Sequence, residues 1–107
     1  MSINIEDLKN YIHHETVSES FRVVNLKDKH PFYSYIVIII ANNDRAIYAV
    51  GEKLKEFARN NEVTNYKTEG KNTNWIVFEI EDILVHVMTQ ELSDKYQIEK
   101  LWELGVI

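Results

Sequence analysis

The sequence contains no cysteine, a single proline and three glycines among its 107 residues. Without cysteine the chain forms no disulfide and offers no thiolate ligand to a metal ion. The proline, Pro31, stands in a polar connection, and neither internal repeats nor low-complexity segments interrupt the chain. A chain of this length is long enough for one domain with a modest core and too short for a second domain. We therefore expect a single domain over residues 1–107.

Basic charge and long apolar runs are also scarce. The chain has 17 acidic side chains against 12 Lys and Arg and a net charge of −5, whereas nucleic-acid-binding proteins normally carry a basic surplus. The longest apolar run, residues 35–41, is too short to cross a bilayer, and the acidic N-terminal segment is not a signal peptide. We expect a cytoplasmic protein that binds neither a membrane nor a specific nucleic-acid sequence. Its acidic surface suits a basic protein partner.

Hydrophobic periodicity predicts the elements of the N-terminal half. An amphipathic helix over residues 2–15 begins at Ser2 or Asn4, which both have N-cap chemistry. The β-branched run at residues 35–41 predicts a strand buried on both faces at the centre of a sheet. Gly51 costs the second helix about 1 kcal/mol relative to alanine, and we expect close packing on the sheet as compensation. The other predicted elements are a strand at 20–26, that second helix at 45–60 and an edge strand at 63–68.

Residues 74–102 show the most informative pattern in the chain. At a period of two, this stretch divides into strands at residues 75–80 and 83–88, separated only by Glu81 and Asp82. A two-residue loop fixes the cross-strand partners, so the first face of the hairpin is wholly apolar and consists of Ile76, Phe78, Ile80, Ile83, Val85 and Val87. The second face consists of Trp75, Val77, Glu79, Leu84, His86 and Met88.

A helix is predicted after the hairpin, with Ile98, Leu101 and Trp102 as its apolar stripe at positions i, i+3 and i+4. We expect this stripe to pack on the first face of the hairpin. The complete order is helix, strand, strand, helix, three strands and helix. It predicts an α/β fold in which a mixed sheet of about five strands is packed with helices.

Two sets of motif residues carry a family resemblance. The N-terminal set comprises residues 32–38, residues 41–45, and Glu69 with Gly70. The C-terminal set aligns without a gap: Trp75, Asp82, Val85, His86, Val87, Glu91, Tyr96, Ile98, Glu99, Lys100, Leu101 and Trp102. Over about residues 21–102 the chain thereby resembles the Iojap, or ribosomal silencing factor, family. It departs from the family's usual pattern with Ser34 for Asp, Glu79 for Asp, Glu81 for Gly, Gln90 for Pro and Ser93 for Arg.

The resemblance implies a factor that binds the large ribosomal subunit through its protein numbered fourteen. Such a factor sterically prevents association with the small subunit and so represses translation. The resemblance also implies a nucleotidyltransferase-like topology. Whether the chain forms a homodimer stays open.

The second face of the hairpin is the predicted partner-binding surface. The first face is committed to the core, whereas a monomer rarely leaves an apolar area like the second one bare. Trp75 is either an anchor of this interface or a structural residue. The predicted partner-binding residues are Trp75, Val77, Glu79, Asp82, Leu84, His86, Met88, Glu91 and Tyr96.

Catalysis is not expected. A nucleotidyltransferase needs a Gly-Ser turn to hold phosphates and paired carboxylates to hold two magnesium ions, but the corresponding turn here reads Ala-Asn-Asn. Carboxylates do occur at Glu79, Glu81 and Asp82, although the last two lie in a hairpin turn. His13 and His14 point about 100° apart on a helix and cannot chelate one metal together. We expect no cofactor or metal; the alternatives are a nucleotidyltransferase-like enzyme and a structural subunit of another complex.

Overall fold

The computed structural model describes residues 3–70 and 74–103, with residues 101–103 described by their backbone alone. Two predictions therefore lie wholly or partly outside the described residues. They are the capping role of Ser2 and the packing of the Leu101 and Trp102 side chains.

A five-stranded mixed sheet forms the centre of the molecule, as predicted. The strand order is β1-β2-β5-β4-β3, in which β2 and β5 are parallel and every other neighbouring pair is antiparallel. The strands are β1 (Ser20–Asn25), β2 (Tyr35–Ile40), β3 (Lys67–Glu69), β4 (Trp75–Ile80) and β5 (Ile83–Met88).

In the described part of the chain, four helices pack on this sheet: α1 (Ile5–Glu15), α2 (Asp44–Asn60), α3 (Gln90–Tyr96) and α4 (Ile98–Glu103). Side chains cap the first three, because the oxygens of Asn4, Asn43 and Thr89 accept backbone N–H groups that have no partner inside the helix. The C-terminal segment was expected to form one helix but forms two. The break is at Gln97, whose left-handed backbone (φ 47°, ψ 53°) ends α3.

Strand β2 is buried on both faces, as predicted, and lies inside the sheet as the second of its five strands, whereas β5 is the middle one. Each residue from Ile36 to Ile40 is completely buried. Val37 and Ile39 belong to a core that includes residues of α1 and α2, whereas Ile36, Ile38 and Ile40 belong to a second core that includes Ile98 of α4. The sheet therefore separates two hydrophobic cores.

The β4–β5 hairpin has the predicted register. Ile80 lies opposite Ile83, Val77 opposite His86, and Trp75 opposite Met88. Glu81 takes the positive φ (53°) that this turn requires, at a position where glycine is favoured. Its carboxylate also accepts the backbone N–H of Ile3 and so ties the hairpin to the start of the chain.

The stripe of the last helix was assigned to the wrong face of the hairpin. Ile98 packs with Met88 on the second face, because α1 and α2 already cover the first face. The edge strand is also shorter than expected. Val63 is not part of β3: it is buried in the first core, and its backbone N–H donates to the Ala58 carbonyl at the end of α2.

Gly51 of α2 packs against β4, as expected, but a methyl group would still fit beside it. A Cβ atom at this position would lie 3.4 Å from Ile76 Cδ1, which is an ordinary van der Waals contact.

Gly51→Ala should therefore raise the free energy of unfolding by about 0.5–1 kcal/mol, through the better helix propensity of alanine. Urea titration measures this change, and Gly51→Leu is the overpacked control. A destabilised alanine variant would contradict the prediction.

Candidate partner-binding surface

The C-terminal helices cover only part of the second face of the sheet. Arg22 of β1 donates to the Ser93 hydroxyl (3.0 Å) and the Glu99 carboxylate (3.3 Å), and so holds α3 and α4 over β1 and β2. Leu92 and Ile98 complete this cover by packing with Met88. Toward β4 the face is only partly covered. The side chains that remain partly exposed there form the hairpin patch, defined as Trp75, Val77, Glu79 and Leu84.

The hairpin patch continues to the edge of the sheet. Glu69 of β3 lies opposite Val77, and Lys67 lies opposite Glu79, so these two charged side chains share the face of the patch. Together the four residues line a shallow hollow of about 120 Å³. The patch is thus an apolar area with charges of both signs along one border.

Trp75 is held in place by two neighbours. Its indole Nε1 donates to Nδ1 of His86 (3.0 Å), and its ring packs against that of Tyr96 with centroids 5.1 Å apart. Tyr96 is 44% exposed, with Lys95 Nζ lying 5.3 Å from its ring centroid. Trp75 is therefore both a packed residue and a contributor to the surface, and Tyr96 extends the aromatic area outward.

His86 lies beneath this aromatic pair and is only 7% exposed. Burial disfavours the charged imidazolium and lowers the pKa of His86 to about 4. Because Nδ1 accepts the indole hydrogen bond, the proton of the neutral ring is on Nε2, which is buried and has no partner among the described residues. At neutral pH, His86 is an uncharged support for Trp75 and carries no charge to a partner.

Hydrogen bonds from Tyr33 and Ser34 fix the other end of the hairpin to the loop before β2. The Tyr33 hydroxyl donates to Glu79 (3.1 Å), and the pKa of Tyr33 is raised by burial and by that carboxylate. The Ser34 hydroxyl donates to the Asp82 carboxylate (2.6 Å), while the Ser34 backbone N–H donates to the Asp82 carbonyl (2.8 Å). Asp82 therefore joins the first residues of β5 to those of β2.

The structure divides the nine predicted site residues by position. Met88 is completely buried by α3 and α4, so its assignment to an exposed face was wrong. Glu91 is exposed, but it lies beyond the C-terminal end of β5, whereas Asp82 precedes the strand at its other end. The remaining residues lie together, with His86 as buried support: Trp75, Val77, Glu79, Leu84, His86 and Tyr96.

Sequence reasoning missed Phe32 and Tyr33. Phe32 is 78% exposed, and Tyr33 packs with the residues of the second core. They lie in a loop, where hydrophobic periodicity provides no signal. The only sequence signal was two adjacent aromatic residues directly after the single proline.

A polar cleft of about 760 Å³ lies where the parallel strands β2 and β5 end. The Asn43 side chain accepts the Ala46 N–H (2.8 Å) and so already occupies the N-terminus of α2. Within residues 3–70 and 74–103 no group of three or more His, Cys, Asp or Glu side chains could hold a metal ion. The cleft is lined by Glu19, Ala41, Asn42, Asn43, Asp44, Arg45, Asn74, Thr89, Gln90 and Glu91.

Comparison with known proteins identifies the family. The family model described as "Ribosomal silencing factor during starvation" matches residues 5–105. The chain belongs to this family. A relative named ribosomal silencing factor RsfS from Bacillus subtilis is 30% identical over 69 residues, which are 64% of this chain and 58% of that protein. The RsfS of Haemophilus influenzae is 28% identical over 79 residues, covering 73% of this chain and 78% of that protein.

The fold of the silencing-factor chain is shared with solved structures. A crystal structure of a protein from Chromobacterium violaceum superposes with a TM-score of 0.83 at 18% identity, covering 94% of this chain and 88% of that one. This likeness concerns the fold alone. In the part of the chain that the structure describes, no helix is long and apolar enough to span a membrane.

Burial of His86 predicts a specific pH dependence of stability. Between about pH 6.5 and pH 4 a histidine in the unfolded chain takes up a proton, whereas His86 in the folded protein stays neutral. The unfolded state binds more protons in this window. The free energy of unfolding should therefore decrease as the pH is lowered, by up to about 1.4 kcal/mol per pH unit. Below about pH 4 this contribution changes no further.

Urea titrations of the wild type and His86→Asn at about pH 7 and pH 5 measure the effect. Asparagine keeps an acceptor near the Trp75 indole but does not titrate, and the other histidines are common to both proteins. The stability of the variant should depend less steeply on pH. Equal slopes for the two proteins would contradict the burial argument.

Proposed function

We propose that this protein binds the large ribosomal subunit through its protein numbered fourteen and sterically blocks association with the small subunit, which represses translation. Membership of the silencing-factor family is the observation that carries this proposal. The hairpin patch supports it, because the patch is a partly exposed apolar area with an aromatic border, the composition typical of interface centres.

The electrostatics of the patch favour a basic partner. Glu79 and Glu69 outnumber Lys67 along the border of the patch, and the chain as a whole has a net charge of −5. Complementary charge raises the rate of association and orients the encounter. Binding should therefore weaken and become slower as the salt concentration rises.

Co-sedimentation with isolated large subunits tests the binding step, and a subunit-joining assay tests the block. Steric occlusion requires one bound molecule per blocked subunit, so inhibition should saturate near a stoichiometric amount without nucleotide or magnesium-dependent product. Complete inhibition at far substoichiometric amounts would instead indicate catalysis. The competing nucleotidyltransferase hypothesis predicts thermal stabilisation by nucleotides, which would act through the polar cleft.

Tyr96 provides the cleanest test of the binding surface. Its ring is 44% exposed and borders Trp75, so Tyr96→Ala should weaken binding to large subunits by about tenfold with little loss of stability. Tyr48 is the matched control, since it is 43% exposed on α2. Tyr48→Ala should bind as the wild type does. If the two variants lose the same amount of binding affinity, the effect is not specific to the hairpin patch and the prediction is wrong.

Trp75→Ala should weaken binding by roughly 30-fold or more, because a buried interface tryptophan is often worth about 2 kcal/mol. It should also lower the free energy of unfolding, since it removes packing from the second core and leaves the His86 acceptor without its indole donor. Binding is therefore measured per folded molecule, after urea titration of the same sample. An unchanged affinity of the folded fraction would exclude Trp75 from the interface.

A further inference from the structure

The loop between β1 and β2 presents the most exposed large hydrophobic side chain among the described residues. Phe32 is 78% exposed. A lone exposed apolar residue is ordinary on a protein surface, so exposure alone assigns it no role. What distinguishes Phe32 is how its loop is held and what lies beside it.

The backbone of this loop is fixed by its own hydrogen bonds. Leu26 and Ser34 close its base, where the Leu26 N–H donates to the Ser34 carbonyl (2.7 Å). The Leu26 carbonyl in turn accepts the N–H groups of Lys29 (2.9 Å) and His30 (3.1 Å). The loop is therefore a closed, compact turn.

His30 fixes the two aromatic residues of the loop. Its Nδ1 accepts the backbone N–H groups of both Phe32 and Tyr33, each at 3.1 Å. Its ring also packs edge-on against Phe32, with centroids 5.9 Å apart, and lies 5.2 Å from the ring of Tyr33. Phe32 is thus held outward on an ordered backbone, which reduces the entropy lost when a partner binds it.

The loop is continuous with the hairpin patch. Tyr33, the neighbour of Phe32, donates its hydroxyl to Glu79 of the patch and packs in the same cluster as Leu84 and Trp75. A partner that covers Leu84 and Glu79 therefore lies beside Phe32. Interface energy concentrates in aromatic side chains that enter pockets of the partner, and Phe32 has the chemistry and the exposure for this role.

We propose that Phe32 is a second anchor of the partner-binding surface and that His30 is the positioning residue for it. The partner of Phe32 is an apolar pocket on the basic large-subunit protein that the hairpin patch binds. This inference rests on the proposed function. It extends the interface from the β4–β5 hairpin to the β1–β2 loop, so that Phe32 is an anchor in addition to the Trp75–Tyr96 pair.

Binding of purified large-subunit protein fourteen to the wild type, Phe32→Ala and Tyr48→Ala tests the proposal. Phe32→Ala should weaken binding at least tenfold with an unchanged urea midpoint, because the removed ring is almost fully exposed. Tyr48→Ala should bind as the wild type does. If Tyr96→Ala weakens binding but Phe32→Ala does not, the inference about the loop is wrong and the proposed function stands.

His30 is tested by a double-mutant cycle. His30→Ala should weaken binding by removing the acceptor of two N–H groups, and His30→Asn should restore much of it, since an asparagine oxygen can accept from the same backbone positions. In a Phe32→Ala background, His30→Ala should cause little further loss, because its effect acts through Phe32. Fully additive losses would show that His30 does not act by positioning Phe32.

Three further outcomes would overturn the proposal. If Phe32→Ala weakens binding to whole large subunits but not to the isolated protein, Phe32 contacts another component of the subunit. If Phe32→Ala instead lowers self-association of the free chain in sedimentation equilibrium, Phe32 contacts a second copy of this chain. Failure of the wild type to bind both the subunit and the isolated protein would refute the proposed function and this inference together.

Discussion

The burial of β2 on both faces is the constraint on which the rest of the structure depends. Five consecutive residues, from Ile36 to Ile40, are completely buried and alternate between two cores. Burying each isoleucine side chain contributes about 1.5–3 kcal/mol, whereas an exposed ion pair such as Lys53 with Glu56 contributes about 0–1 kcal/mol. The sheet must therefore be covered on both faces, and the order of the helices along the chain follows from that requirement.

The two faces are covered unequally, and this inequality creates the candidate binding surface. The first face is covered by α1 and the 17-residue α2, while among the described residues the second is covered by the short helices α3 and α4. Arg22 draws these two helices toward β1 through Ser93 and Glu99. The β4 side of the second face consequently keeps a partly exposed apolar area. In this protein the candidate site is the part of the sheet that α3 and α4 leave partly exposed.

Local patterns were enough to predict the elements whose neighbours lie close in sequence. The hairpin register followed from alternation and a two-residue turn, and the burial of β2 on both faces followed from its unbroken apolar run. The C-terminal region could not be predicted in the same way. Its helix breaks at Gln97 because that residue takes a left-handed conformation, and Ile98 packs on the second face because distant helices occupy the first. Both features depend on tertiary context rather than on periodicity.

The same distinction explains the candidate site. Alternation placed Trp75, Val77 and Leu84 on one face correctly, but only the packing of α3 and α4 decides that Met88 on that face is inaccessible.

The proposed steric mechanism needs a surface that keeps its shape on contact. Hydrogen bonds beneath the hairpin patch provide this rigidity. His86 holds the indole of Trp75, and Tyr33 holds Glu79. Side chains already fixed in the free protein lose less conformational entropy on binding, and a rigid surface has no need of a closing loop. His86 is thus part of this support and not a charged contact residue: its Nδ1 is engaged, its Nε2 is buried, and its lowered pKa keeps it uncharged beneath Trp75.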